Sequence, residues 1–172
     1  MKYLIIFLFT AIAYAQSDRN ALGETAFEAI EINGQTLGQI KATHGQKSQM
    51  QNLFGSALDY KAYNSGRSIK YTYTDLSLAF SAWITASATP ELSSFEITGP
   101  STTITIGNIE FSVGDNISVL SPLNLVENTS GNYLPGTKAY IIAPCAKCNH
   151  YIYIRFNMSS QLITEIGYIE LT

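Results

Sequence analysis

Three segments between Ser68 and Ile97 alternate in polarity with a period of two, and the links between them are too short to hold a crossover helix. In SIKYTYT, Ile69, Tyr71 and Tyr73 lie opposite Lys70, Thr72 and Thr74. In LSLAFSAWI, Leu76, Leu78, Phe80, Ala82 and Ile84 lie opposite Ser77, Ala79, Ser81 and Trp83, and ELSSFEITG continues with Phe95 and Ile97. Period two is the signature of a strand with one dry and one wet face. Short links make neighbouring strands antiparallel. The chain is therefore expected to contain an antiparallel meander, with Asp75 at a tight turn and breaks at Thr89-Pro90 and Gly99-Pro100.

The second half repeats the theme. Ile104 and Ile106, then Gly107-Asn108, then Ile109, Phe111 and Val113 predict a hairpin or a bulged strand. Asp115 or Asn116 is placed to cap a brief helical turn carrying Val119, Leu120 and Leu123, limited by Pro122. AYIIAP, HYIYIRFNM and LITEIGYIEL supply the last three strands.

One segment reads as an amphipathic helix. Met50, Leu53 and Phe54 fall at i, i+3 and i+4, and Gly55 stands where a helix C-cap favours positive φ, which predicts a helix over about 46–54. Nine residues are unstable alone, so this helix must pack on a sheet. The expected class is α+β, with short helices packed on an antiparallel sheet. The halves 27–100 and 101–172 share an order of short strand, small-residue turn, helical stretch and meander. Two readings stand for that likeness: a tandem helix-plus-meander repeat, or similar punctuation within a single domain over 27–172.

Ahead of the domain, MKYLIIFLFTAIAYA has a basic Lys2, an uncharged run from Leu4 to Ile12 too short to span a bilayer, and a small-x-small Ala13-Tyr14-Ala15. Residues 1–15 are expected to be a signal peptide, with 16–26 a flexible polar leader and a first strand over 27–32. The expected location is secreted or periplasmic. No later apolar run reaches about eighteen residues, so no transmembrane segment is expected after cleavage. The net charge of −3 and the lack of clustered Lys and Arg exclude a nucleic-acid surface. With 13% charged residues and 11 Tyr, the composition suits an extracellular β-rich fold.

The stretch from Thr36-Leu37-Gly38 to Asn52-Leu53-Phe54-Gly55, followed by Tyr-rich strands, resembles a unit of small bacterial envelope proteins. These are of the β-lactamase-inhibitor-like and outer-membrane assembly lipoprotein type. The resemblance covers 30–98 and, more weakly, 103–172, and it implies a helix packed on a small antiparallel sheet and a role in binding other proteins. The chain lacks a Cys at the signal junction, a departure from the lipoprotein branch, and no inhibitory residue carries across.

Cys145-Ala146-Lys147-Cys148 is the sharpest local motif. Two cysteines rule out a four-thiolate zinc site, and Asn149 stands where a c-type haem motif needs His. Neither a metal nor a cofactor is expected. A strand leads in and a strand leads out, so the pair is expected to form a local disulfide in an oxidising compartment, with redox activity as the rival. His44 and His150 lie in turn-like settings without surrounding motifs, and no nucleophile elbow or acid–base pair is selected. An enzyme is not the expected outcome. A thiol oxidoreductase or hydrolase using Cys145, Cys148 or His150 is the alternative.

In HYIYIRF, Tyr151, Tyr153 and Arg155 share a face opposite Ile152, Ile154 and Phe156. If the aliphatic face is core, the Tyr-Tyr-Arg face points outward with residue types enriched at binding hot spots. Trp83 joins that set if Leu78 and Phe80 point inward. The expectation is an exported, non-catalytic module that docks an unidentified protein partner, with carbohydrate stacking on the same tyrosines as a further alternative.

Overall fold

The apolar stripes of the meanders need a second layer, and the short helices and a small sheet provide it. The computed structural model describes residues 19–82, 89–129, 131 and 134–170. The first half runs β1 (Arg19–Ala21), α1 (Glu24–Glu28), β2 (Glu31–Ile32), β3 (Gln35–Thr36), α2 (Leu37–Ala42) and α3 (Lys47–Phe54). Four strands follow: β4 (Asp59–Tyr63), β5 (Ser68–Thr72), β6 (Leu76–Ser81) and β7 (Glu91–Ile97). The second half runs β8 (Thr103–Ile106), β9 (Ile109–Ser112), a 3-10 helix (Ile117–Leu123), β10 (Glu127–Asn128), β11 (Thr137–Ala143), β12 (His150–Asn157) and β13 (Ile163–Glu170).

These strands build a nine-stranded sheet in the order β1-β11-β12-β13-β7-β6-β5-β4, with β10 also on β11, and a four-stranded sheet in the order β3-β2-β8-β9. Among the described residues, β1 and β11 pair in parallel and the other strand pairs are antiparallel. Each half gives a hairpin to the small sheet and a meander to the large one. Among the described residues three strand pairs join the halves: β1 with β11, β2 with β8 and β7 with β13. The fold class is α+β, as the alternation implies.

Local chemistry explains the helix starts. Thr36 caps α2: its hydroxyl accepts from the Gln39 amide at 3.1 Å, while the Gln39 side chain accepts from the Thr36 amide at 2.9 Å. Leu37 and Ile40 are buried beneath it. In α3, Met50 is buried and Leu53 and Phe54 pack partly against the core, so the predicted stripe faces inward. Gly45, between α2 and α3, has φ 67°, and a Cβ there would lie 2.9 Å from Phe80 Cγ. The Tyr71 hydroxyl donates to the Gly45 carbonyl at 2.8 Å, which pins this crossing. Asn116 caps the 3-10 helix by accepting from the Ser118 amide at 3.0 Å.

Leu78, Phe80, Ile152, Ile154 and Ile166 are fully buried on the inner face of the large sheet. Truncating one of these to alanine removes both transfer free energy and packing, a cost of about 2–5 kcal/mol.

Two expectations are corrected near the start of the chain. Part of the leader expected over 16–26 is structured: β1 lies on β11, and the Leu22 and Gly23 amides donate to the Ala143 and Pro144 carbonyls, each at 3.0 Å. The strand expected over 27–32 is instead α1 followed by the two-residue β2, and α1 buries Phe27 completely. A free edge on β11 supplies backbone partners, and side-chain polarity does not report backbone pairing. Sequence reading also assigned nothing to β4, whose five residues are all exposed and so carry no core-facing alternation.

Candidate binding surface

β12 separates its two faces as its alternation requires. Ile152, Ile154 and Phe156 are buried, whereas Tyr151, Tyr153 and Arg155 are half-buried on the opposite, outer face. No residue on that outer face belongs to the connected core. The strand register places Tyr153 between Ile141 of β11 and Gly167 of β13, and Arg155 between Ala139 and Glu165.

Gly167 makes room for the tyrosine. A Cβ at Gly167 would lie 2.4 Å from the Tyr153 ring, so the bare backbone is what lets the ring lie down across β13. The Tyr153 hydroxyl then donates to Glu165 Oε1 at 2.6 Å. Arg155 pairs with the other carboxylate oxygen, and its guanidinium sits 5.5 Å from the Tyr153 ring centroid. One carboxylate therefore holds both side chains in place. Burial, then the hydrogen bond and charge of Glu165, push the Tyr153 phenol well above its ordinary range. It stays a neutral donor throughout physiological pH.

Arg19 reaches the same face from β1. Its guanidinium lies 5.1 Å from the Tyr151 ring centroid and donates to the Cys148 carbonyl at 2.5 Å. Further across the sheet the outer face changes character. The row through Tyr153 and Gly167 continues to Glu96, Ser77, Thr72 and Asp59. Along this row no residue beyond Tyr153 is aromatic.

Cys145 and Cys148 form a disulfide in the link between β11 and β12, with Cα atoms 5.2 Å apart, and the Cys148 amide donates to the Cys145 carbonyl. His150 points the other way, packing edge-on to Phe27 at 5.6 Å and near Tyr168 at 6.3 Å. Its Nε2 is buried without a hydrogen-bond partner among the described residues. His44 lies 3.3 Å from the Pro90 carbonyl and 3.3 Å from Glu91 Oε1. The two histidines are on different elements and do not combine with the disulfide. Among the described residues no cluster of three His, Cys, Asp or Glu could hold a metal ion. Trp83 lies outside the described residues.

A second aromatic assembly lies beside α3. Tyr60 and Tyr71 lie 5.0 Å apart, Tyr71 and Tyr73 stack at 6.4 Å, and Phe54 packs on Tyr73 at 5.5 Å. Tyr60, Tyr71 and Tyr73 border a groove of about 290 Å³ whose polar side chains are Lys47, Gln51 and Ser56. Lys47 Nζ sits 4.9 Å from the Tyr60 ring centroid. The Tyr73 hydroxyl is buried without a partner among the described residues, and burial raises its pKa. Two signals in the sequence pointed to these arrangements. A glycine inside the β13 strand pattern marks a close approach, and three tyrosines sit at the start and end of neighbouring strands.

No protein-family model matches this chain, and no curated protein matches it. Among solved structures, the chain is similar to an extracellular protein containing a SCP domain from Bacillus anthracis str. Ames, with a TM-score of 0.41 and 8% identity. The likeness covers 73% of this chain and 43% of that one, so the chain spans less than half the length of the protein it matches. Among the described residues, no helix is long and apolar enough to cross a membrane.

Proposed function

We propose that this chain is an exported, non-catalytic binding module that docks a protein partner through Tyr151, Tyr153 and Arg155 on the outer face of β12. The observation that carries this reading is the double grip of Glu165 on Tyr153 and Arg155. A side chain fixed before the encounter loses little rotamer freedom on binding, so contact area is converted to affinity with less entropic cost. Tyr and Arg are also the residue types that dominate interface energetics. The N-terminal signal motif supports export.

The test is crosslinking capture from envelope and secreted extract with the purified protein, alongside a variant carrying both Tyr151→Ala and Tyr153→Ala. A partner retained by the wild type and lost by a variant that still unfolds cooperatively supports the assignment. A partner bound equally by both proteins removes the patch from the interaction and overturns it.

The groove beside α3 favours a second reading, in which the module holds a saccharide. Ring faces with an amide, a hydroxyl and an ammonium at the rim match the apolar face and polar edge of a sugar. A glycan array probed with wild type and Tyr60→Ala decides this, because sugar binding in the groove must fall when the exposed stacking ring is removed.

A further inference from the structure

β4 ends the large sheet. Among the described residues only β5 pairs with it, all five of its residues are exposed, and Leu58 just before it is 75% exposed. An edge this open is a template for another strand, and natural edges are usually blunted by charge. The charges here are Asp59 and Lys61, two residues apart and so on one face, joined within the strand at 2.8 Å.

Backbone geometry restricts which partner fits. Alternate residues of an edge strand point their N–H and C=O groups outward. Two copies meeting antiparallel about a two-fold axis must place outward-pointing residues opposite one another, so the axis passes through a residue and never between two. With the axis at Asp59, Asp59 faces Asp59. With the axis at Lys61, Lys61 faces Lys61. With the axis at Tyr60, each Asp59 faces the Lys61 of the other copy and Tyr60 faces Tyr60. Like charges directly opposite are destabilising and unlike charges stabilising. The segment Asp59-Tyr60-Lys61 is thus charge-complementary to itself in a single register.

We propose that β4 pairs antiparallel with β4 of a second copy of this chain, centred on Tyr60, joining two large sheets into one. The contact is isologous, and it lies at the opposite end of the sheet from the Tyr-Tyr-Arg patch, leaving that patch free in both copies. On the inner side it brings together two Tyr60 rings, each already packed on its own Tyr71. A ladder this short buries less than a standard interface, so the expected affinity is micromolar.

Sedimentation velocity up to about 500 μM tests this, a range set by micromolar affinity. Wild type is expected to dimerise with concentration. Asp59→Lys and Lys61→Asp alone each set like charges opposite and are expected to weaken dimerisation by about tenfold or more, roughly one charge reversal's worth. The double variant D59K/K61D restores the pairing, and an equimolar mixture of the two single variants forms a heterodimer that neither forms alone. Both positions are exposed, so the fold survives each change. A monomer throughout, a dimer indifferent to the single reversals, or a double variant that fails to recover overturns the proposal.

Discussion

Tyr153 and Tyr73 lie in the same large sheet region with their hydroxyls withdrawn from water, yet only one of them is satisfied. Tyr153 donates to Glu165 across a gap left by Gly167, whereas Tyr73 packs its ring between Phe54 and Tyr71 and leaves its hydroxyl without a partner among the described residues. The outer patch is closed by a carboxylate and held as a rigid display. In the inner cluster the Tyr71 hydroxyl is tied to the Gly45 carbonyl, while Tyr73 is held by ring packing alone. Strand tyrosines therefore divide by what stands opposite them, a polar anchor or another ring.

The largest break in that contrast should come from Gly167→Val. A branched side chain would occupy the space of the Tyr153 ring and displace it from Glu165, an overpacking cost of about 1–3 kcal/mol in guanidinium unfolding. The two sites are in contact, so their effects should not add. Tyr153→Ala in the Gly167→Val background should recover part of the loss. Equal losses in both backgrounds would show that the ring does not depend on the glycine.

Tyrosine-to-phenylalanine changes sharpen the comparison within the inner cluster. Tyr71→Phe strands the Gly45 carbonyl and should cost about 1–2 kcal/mol, whereas Tyr73→Phe deletes a hydroxyl with nothing to lose and should be neutral or stabilising by up to about 1 kcal/mol. Urea unfolding of the two variants measures both. An alkaline titration separates them further. Burial, then the neighbouring Tyr60 and Tyr73, push the Tyr71 phenol from 10.0 up to about 12. A phenol raised on folding keeps its proton after the unfolded chain has lost it, so its stabilisation is whole below pH 10 and is lost as the pH climbs through 12. Melting temperature should therefore fall across that window in the wild type and fall less in Tyr71→Phe.

Much of this architecture is legible in the sequence where burial imposes a period. The alternation of Ile152, Ile154 and Phe156 against Tyr151, Tyr153 and Arg155 gave the two faces of β12, and the Met50–Leu53–Phe54 stripe gave α3 to within a residue at its start. What escaped has no such signal. β1 is held by backbone bonds to β11 that its polar side chains do not announce, and β4 is exposed on both faces. The site followed the same rule. Tyr153 and Arg155 are readable from their own strand, but their anchor is Glu165, ten residues later, and only the β12–β13 register brings it opposite Arg155. Strand order and register are long-range facts, and a local pattern reports them only through the burial they cause.

The smallest effect tests the anchor itself. Glu165→Gln keeps an amide oxygen that can accept from Tyr153 but removes the charge that holds Arg155. The pair is partly exposed, at 30% for Arg155 and 20% for Glu165, so solvent screening limits the expected loss to about 1 kcal/mol at low salt. Raising the salt should shrink the difference between wild type and variant, since only the wild type has a charge pair to screen. Partner binding should fall by more than stability does, because Arg155 would be free to sample other rotamers and would have to be ordered again at the encounter. Equal partner affinity with reduced stability would mean that Glu165 supports the fold and leaves recognition to the tyrosines.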